Sequence, residues 1–495
     1  MKNITKRNIL SVLVFILLFT SACKKDEQIK PSVIIPEADI VNKFIYNALH
    51  DYYLWNSQIP ALTNAQFQNT DSLNLFLNKY TDPQKLFTSL LYKYDEIDKW
   101  SFLVDNSKTI DDWISGTSKT MGYDFVPYRF TDASGNDTNV FAIVRYVYSG
   151  SPAEKAGLKR GDVILTVNDQ QLSVTNYQKL LLGTDYSKFG FADLVNHKIS
   201  PNLRTMTISS VEMQENPINK DTIFTFENKK IGYLVYNGFN SDYDIQLNNV
   251  IKEFKDANID LMVLDLRYNG GGSVRTCQYL ASMIYGTDNS KVFSRSMYNT
   301  ELQAYFTQQN GTSSLTDHFT TTIDATSNTP ETPINTLNLK KIYIIATDNT
   351  ASASEMLING LRPYLNVTVV GTKTYGKYVA SATIKDWDQN GVVNPNHTYA
   401  MQPIIAKYAN VEGVTDFVDG LSPNITAEED VSSLLPFGDP NETLLKVVLD
   451  DIKGLSTSGM VKKSAEFGIR KIADSHDFKP FAHDMYINPI RKHQE

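Results

Sequence analysis

Histidine and cysteine are scarce in this chain of 495 residues, with seven of the first and two of the second. None of them stands at metal-ligand spacing, so the sequence implies no metal, and nothing in it implies an organic cofactor. Long basic runs are also missing, and the formal net charge is −8. That excludes nucleic acid as the expected partner, because such binding rests on clustered Lys and Arg. No internal repeat and no low-complexity tract appears. Apolar and aromatic residues are abundant instead: 42% of the chain is hydrophobic, with 27 Tyr and 24 Phe against 21% charged residues. Large cores can therefore form, and the length predicts two to four domains.

The only long apolar run lies at the start. Lys2, Lys6 and Arg7 precede the stretch Ile9 to Thr20, and Ser21, Ala22 and Cys23 follow it. The run is too short for a comfortable membrane span and has the layout of an export signal. Small residues followed directly by Cys23 resemble a bacterial lipoprotein cleavage box, which implies lipidation of Cys23. The alternative is a soluble exported protein. With Cys23 acylated, Cys277 has no disulfide partner, and its apolar surroundings mark it as a small buried hydrophobe.

After a polar tether (24–36), Val41, Phe44, Ile45 and Leu49 recur at helical spacing, as do Leu73, Phe76 and Leu77. A helical domain over 37–115 is expected. The texture then turns to short β-rich runs over 116–212. Ser151 and Pro152 open a short helix that Gly157 ends, and Gly161-Asp162 turn into the strand through Val167. From about Lys229, apolar strands (Ile231 to Tyr236, Ile259 to Leu266, Lys341 to Ala346, Val367 to Gly371) alternate with helical stretches. That alternation predicts a mixed sheet covered by helices, with sites at the strand ends. The segment 454–495 reads as a mixed polar tail with no assigned role.

Two residues could do chemistry at those strand ends. Ser352 stands between a buried strand and a helix, with Glu355 three positions on. This is a capping box by pattern, and also a place where helix-start amides can stabilise an oxyanion beside a nucleophile. A serine hydroxyl needs a base. No histidine stands in a motif, although a Ser-His arrangement remains open because triad members can be distant in sequence. Lys377 is the other candidate, either a solvated loop lysine or, if buried, a neutral amine able to act as base.

Two resemblances bear on these alternatives. The run Ser149 to Asn168, with Gly161-Asp162-Val163-Ile164-Leu165-Thr166-Val167-Asn168 at its end, resembles the PDZ domains of bacterial proteases. It implies peptide capture by strand addition, with Gly122, Tyr123 and Phe125 in the matching loop, or else a PDZ fold used as spacer or lid. The unit Ala351-Ser352-Ala353-Ser354-Glu355, followed by Gly371 to Lys377, resembles the C-terminal processing peptidases in their lipoprotein branch. The resemblance implies Ser352 as nucleophile and Lys377 as general base, with the amides of Ala353 and Gly271 forming the oxyanion hole. The family often has Gln four residues after the lysine. This chain has Ser381 there, so Ser381 is the expected lysine orienter.

The expectation is an α/β multidomain protein: a lipoprotein signal peptide (1–23), the helical domain, the PDZ domain and a Ser-Lys protease core over 225–453. The implied function is an exported, lipid-anchored endopeptidase facing the periplasm or cell surface. Its partners are unfolded or C-terminally exposed polypeptides, and the membrane through Cys23. The alternative, prompted by Ser381, is a catalytically weak homologue that binds peptides or other ligands.

Overall fold

The computed structural model describes residues 35–63, 66–67, 69–131, 135, 137–183, 185–195, 198–327, 329–430, 433–455, 469–478 and 482–487. The expected export signal and Cys23 lie outside the described residues. No helix among the described residues is long and apolar enough to cross a membrane.

The half that carries Ser352 and Lys377 is built on a six-stranded sheet ordered Ile218–Phe226, Lys229–Tyr236, Leu261–Asp265, Lys341–Ala346, Asn366–Gly371, Ile425–Thr426. The first pair is antiparallel and the remaining pairings are parallel. Successive side chains of a strand point to opposite faces, and here both faces are covered. Leu234, Leu264 and Ile344 join a core with the helices Asp244–Asp256, Val274–Ile284 and Ala353–Leu361. Tyr233, Val263 and Ile345 join a second core under the helix Thr443–Ile452. The continuous apolar character of these strands follows from that double burial.

The N-terminal helix Ile40–Tyr52 lays Phe44, Ile45 and Leu49 into the first of these cores, so the helical region shares a core with the sheet. A second sheet is ordered Gly272–Ser273, Met485–Ile487, Val379–Ala382, Ile404–Ala409, Val292–Tyr298, Thr316–His318.

The PDZ-like sheet is ordered Ile469–Lys471, Tyr123–Phe130, Asn139–Val147, Val163–Val167, Tyr186–Val195, Lys198–Ser209. Its short helix Pro152–Ala156 starts on the Ser151 side chain, which accepts from the Glu154 amide, and ends on left-handed Gly157. A polar joint fastens this sheet to the half that carries Ser352. The Arg160 guanidinium reaches Glu429 Oε1 at 2.6 Å and the Tyr268 hydroxyl at 3.0 Å. Glu429 also accepts from Arg267, which is fully buried between Asp265 and Glu442.

Candidate active site

Three parallel strands end side by side, and each delivers one part of the site at its C-terminal end. Leu261–Asp265 leads into Gly270–Gly272, Lys341–Ala346 into Ser352, and Asn366–Gly371 into Lys377. Ser352 is fully buried and directly precedes the helix Ala353–Leu361 with φ of 65°. A serine in this left-handed region is strained, and such a turn lifts the side chain out of the strand-to-helix connection. The turn is laced to its neighbours. The Ala351 amide donates to the Asn269 carbonyl at 3.0 Å, the Ser354 hydroxyl to the same oxygen at 3.1 Å, and the Thr350 hydroxyl to the Leu266 carbonyl at 2.7 Å.

Glu355 ties the serine turn to the lysine loop. Its buried carboxylate accepts from the Ser352 amide (2.8 Å), the Thr374 hydroxyl (2.5 Å), the Gly376 amide (2.8 Å) and the Lys377 amide (2.8 Å). Burial pushes this carboxyl up to about 7, against the four donors that favour its charged form. Among the described residues the Ser352 hydroxyl has no hydrogen-bond partner. The Glu355 carboxylate closes its half of a capping box on the Ser352 amide.

Lys377 is fully buried, with its ammonium 5.3 Å from the centroid of Trp100. Burial pulls its pKa below the ordinary lysine value, while the Asp484 carboxylate opposes the shift. Asp484 is buried too, and its carboxyl is pushed up by desolvation. The lysine amine is hydrogen-bonded to Asp484 Oδ1. Ser381 lies with its hydroxyl 3.0 Å from Asp484 Oδ2, and Gln402 Nε2 donates to that hydroxyl at 3.0 Å.

A cleft of about 570 Å³ leads to this point. Met121, Tyr123 and Leu181 line it from the PDZ-like sheet, and Gly270–Gly272 line it from the half that carries Ser352. Beside Ser352 lies an apolar pocket formed by Met356, Tyr378, Phe417 and Met485.

The arrangement agrees with what known proteins contribute. Residues 230–426 match the model of peptidase family S41, 41–102 its N-terminal domain and 143–189 a PDZ domain. The chain belongs to peptidase family S41. It is 24% identical over 296 residues to the chloroplastic C-terminal processing peptidase of Tetradesmus obliquus, covering 57% of this chain and 56% of that one. It is 23% identical over 331 residues to the carboxyl-terminal-processing protease of Synechocystis, covering 66% of this chain and 68% of that one. A crystal structure of an S41 protease from Bacteroides fragilis matches 85% of this chain and 99% of its own, with 25% identity and a TM-score of 0.66.

Within this S41 chain Ser352, Ala353, Gly271, Lys377 and Ser381 fall in one region, while Gly122, Tyr123 and Phe125 lie in the PDZ-like domain. Ala353 opens the helix, where the first N–H groups have no intrahelical acceptor. The Gly271 amide is engaged by Asn269 Oδ1 at 2.9 Å. Gly271 has φ of 116°, and a Cβ there would sit 2.7 Å from Ser352 Cβ, so the close approach needs glycine. The Gly122 amide donates to Thr120 Oγ1, and Tyr123 and Phe125 belong to the PDZ-like core. Asp124, next to the expected carboxylate loop, faces Arg145 and Ser475 instead. Ser381 touches Asp484, and the lysine amine is hydrogen-bonded to Asp484 and not to Ser381. Cys277 is buried, as its apolar neighbours predict.

Sequence reasoning missed Glu355 as a tie between loops and Asp484 altogether. Glu355 was visible as a capping residue. Asp484 lies in a tail whose only signal is the short β-prone run Met485-Tyr486-Ile487.

Proposed function

We propose that the protein is a serine endopeptidase of the carboxyl-terminal processing type, acting on unfolded or C-terminally exposed polypeptides. Ser352 attacks the scissile carbonyl, and Lys377 takes its proton and passes it to the leaving amine. The observation that carries this reading is the convergence of a strained, buried serine and a buried lysine on one carboxylate, Glu355. Burial favours the neutral amine that a lysine base requires. The Ala353 amide holds the oxyanion, and Gly271 joins it when its N–H leaves Asn269. The PDZ-like domain selects or gates the polypeptide, and no metal or organic cofactor takes part.

The export signal and a lipid anchor at Cys23 belong to the same proposal, with the protein facing the periplasm or cell surface. A second reading, a peptide-binding homologue of low activity, draws on the engagement of Lys377 by Asp484. Cleavage of an unfolded protein by the chain lacking residues 1–23 tests both. Cleavage that disappears in folded Ser352→Ala and Lys377→Ala variants is the expected result. Undiminished cleavage in Lys377→Ala would remove the lysine from the mechanism, and peptide binding without cleavage would favour the second reading.

A further inference from the structure

The C-terminal segment touches both places where a polypeptide substrate would lie. Its first strand, Ile469–Lys471, adds antiparallel to Tyr123–Phe130, with Ile469 opposite Phe130 and Lys471 opposite Tyr128. The Ile472 amide continues the pairing on the Pro127 carbonyl at 3.2 Å. The chain thus runs toward the Gly122 turn. Phe478 follows, with its ring 6.0 Å from that of Tyr177 in the helix Tyr177–Leu181. Ile472 and Phe478 both pack on the PDZ-like core. A peptide strand added to a sheet edge is the general way such a domain takes a ligand. The Arg145 guanidinium anchors this stretch through Asp474 at 2.7 and 2.8 Å.

Residues 482–487 then cross the nucleophile. Met485–Ile487 lies parallel between Gly272–Ser273 and Val379–Ala382. The Asp484 carbonyl oxygen is 2.9 Å from where a side chain of Gly271 would begin, and the Ser352 hydroxyl is 3.1 Å from the same point. Met485 is fully buried and helps close the apolar pocket, leaving about 10 Å³, room for one water molecule at most. His483 stacks on Tyr375, their ring centroids 4.3 Å apart. The Asp484 carboxylate engages the Lys377 amine. On either side of the shared proton that amine is unavailable: as ammonium it has no lone pair, and as amine its lone pair is taken by the Asp484 hydroxyl.

We infer that residues 469–478 and 482–487 act as an intramolecular inhibitor bound as a substrate would be, the first stretch on the PDZ-like edge and the second across Ser352. The inference rests on the reading of Ser352 and Lys377 as the catalytic pair. Tethering makes both contacts effectively intramolecular, so even weak segments hold their grooves. An incoming polypeptide competes for the same two surfaces, and displacing Asp484 frees the base as the cleft opens. Engagement of the PDZ-like edge is thereby coupled to activity at Ser352.

The test measures how fast a small fluorophosphonate labels Ser352 in the full chain and in Asp484→Ala. A rise of at least about 10-fold in the variant is expected, as for a site that is open a tenth of the time or less. Equal labelling of Ser352 in the two proteins would overturn the inference and leave the catalytic reading standing. Slower labelling in the variant would also overturn it, making Asp484 a positioning partner of Lys377. Labelling of Ser352 in neither protein would sink the catalytic reading and the inference with it. Hydrogen exchange in the unaltered chain covers the case in which the variant does not fold. Protection of Met485–Ile487 must fall when an unfolded polypeptide is added in excess, and protection that persists at saturation contradicts the inference.

Discussion

Lys377 is gripped by two buried carboxylates from different regions, and they do opposite things. Glu355, in the first turn of the helix after Ser352, accepts the backbone amides of Ser352 and Lys377 and so assembles the site. Asp484, directly before the tail strand, takes the side-chain amine and, on the proposed inhibition, withholds the base. The two differ in what they bind. A carboxylate on backbone amides fixes geometry without touching the reacting proton, whereas one on the amine competes for that proton. Buried charge is therefore a poor guide to role until its partner atoms are known.

The largest effect is expected at the assembling carboxylate. Glu355→Ala leaves several buried donors unpaired, at about 1–3 kcal/mol each, so the variant should unfold at markedly lower denaturant and lose Ser352 labelling. Glu355 also confers a pH signature. Folding raises its carboxyl to about 7, so the native state holds a proton that the unfolded chain has lost. Stability should fall as pH rises from about 4.5 to about 7, and Glu355→Gln should flatten that slope in unfolding measurements across this range.

The joint to the PDZ-like domain supplies a control, with carboxylates that neither assemble nor block. Arg267→Ala strands Glu442 and Asp265 and should cost about 3–5 kcal/mol in a denaturant titration. At the withholding carboxylate the stability cost should be smaller, about 1–3 kcal/mol, because the orphaned Lys377 can shed its proton. On the proposed mechanism, activity should rise with pH as that proton leaves. Asp484 holds the lysine pKa up, so in Asp484→Ala the rise should move to lower pH. An unchanged pH–rate profile would break the comparison. The smallest effect belongs to Ser381→Ala, which removes one contact to Asp484, about 1 kcal/mol, and should quicken Ser352 labelling a few-fold.

Local pattern made much of the fold legible. The strand Lys341–Ala346 is an apolar run from Ile342 onward because both of its faces are covered, and Gly157 marks the end of its helix by a left-handed cap. Ser352 was legible as a helix start, since Glu355 follows at capping distance. The partner of Lys377 was not. Asp484 reaches it from over a hundred positions away, directly before a strand of three residues stabilised by neighbours on both sides. Nothing in Asp484-Met485-Tyr486-Ile487 encodes that address. The departure at Ser381 makes sense only afterwards, because its short hydroxyl hydrogen-bonds the Asp484 carboxylate instead of reaching the lysine.

The most direct test of the Ser352–Lys377 assignment uses the opened cleft. The rate of cleavage of an unfolded protein is compared in Asp484→Ala and in Asp484→Ala/Lys377→Ala, with folding checked in both. The account predicts cleavage in the first and a loss of at least about 100-fold in the second, the scale of a general base. Equal rates would contradict it and return the search for the base to other residues around Ser352.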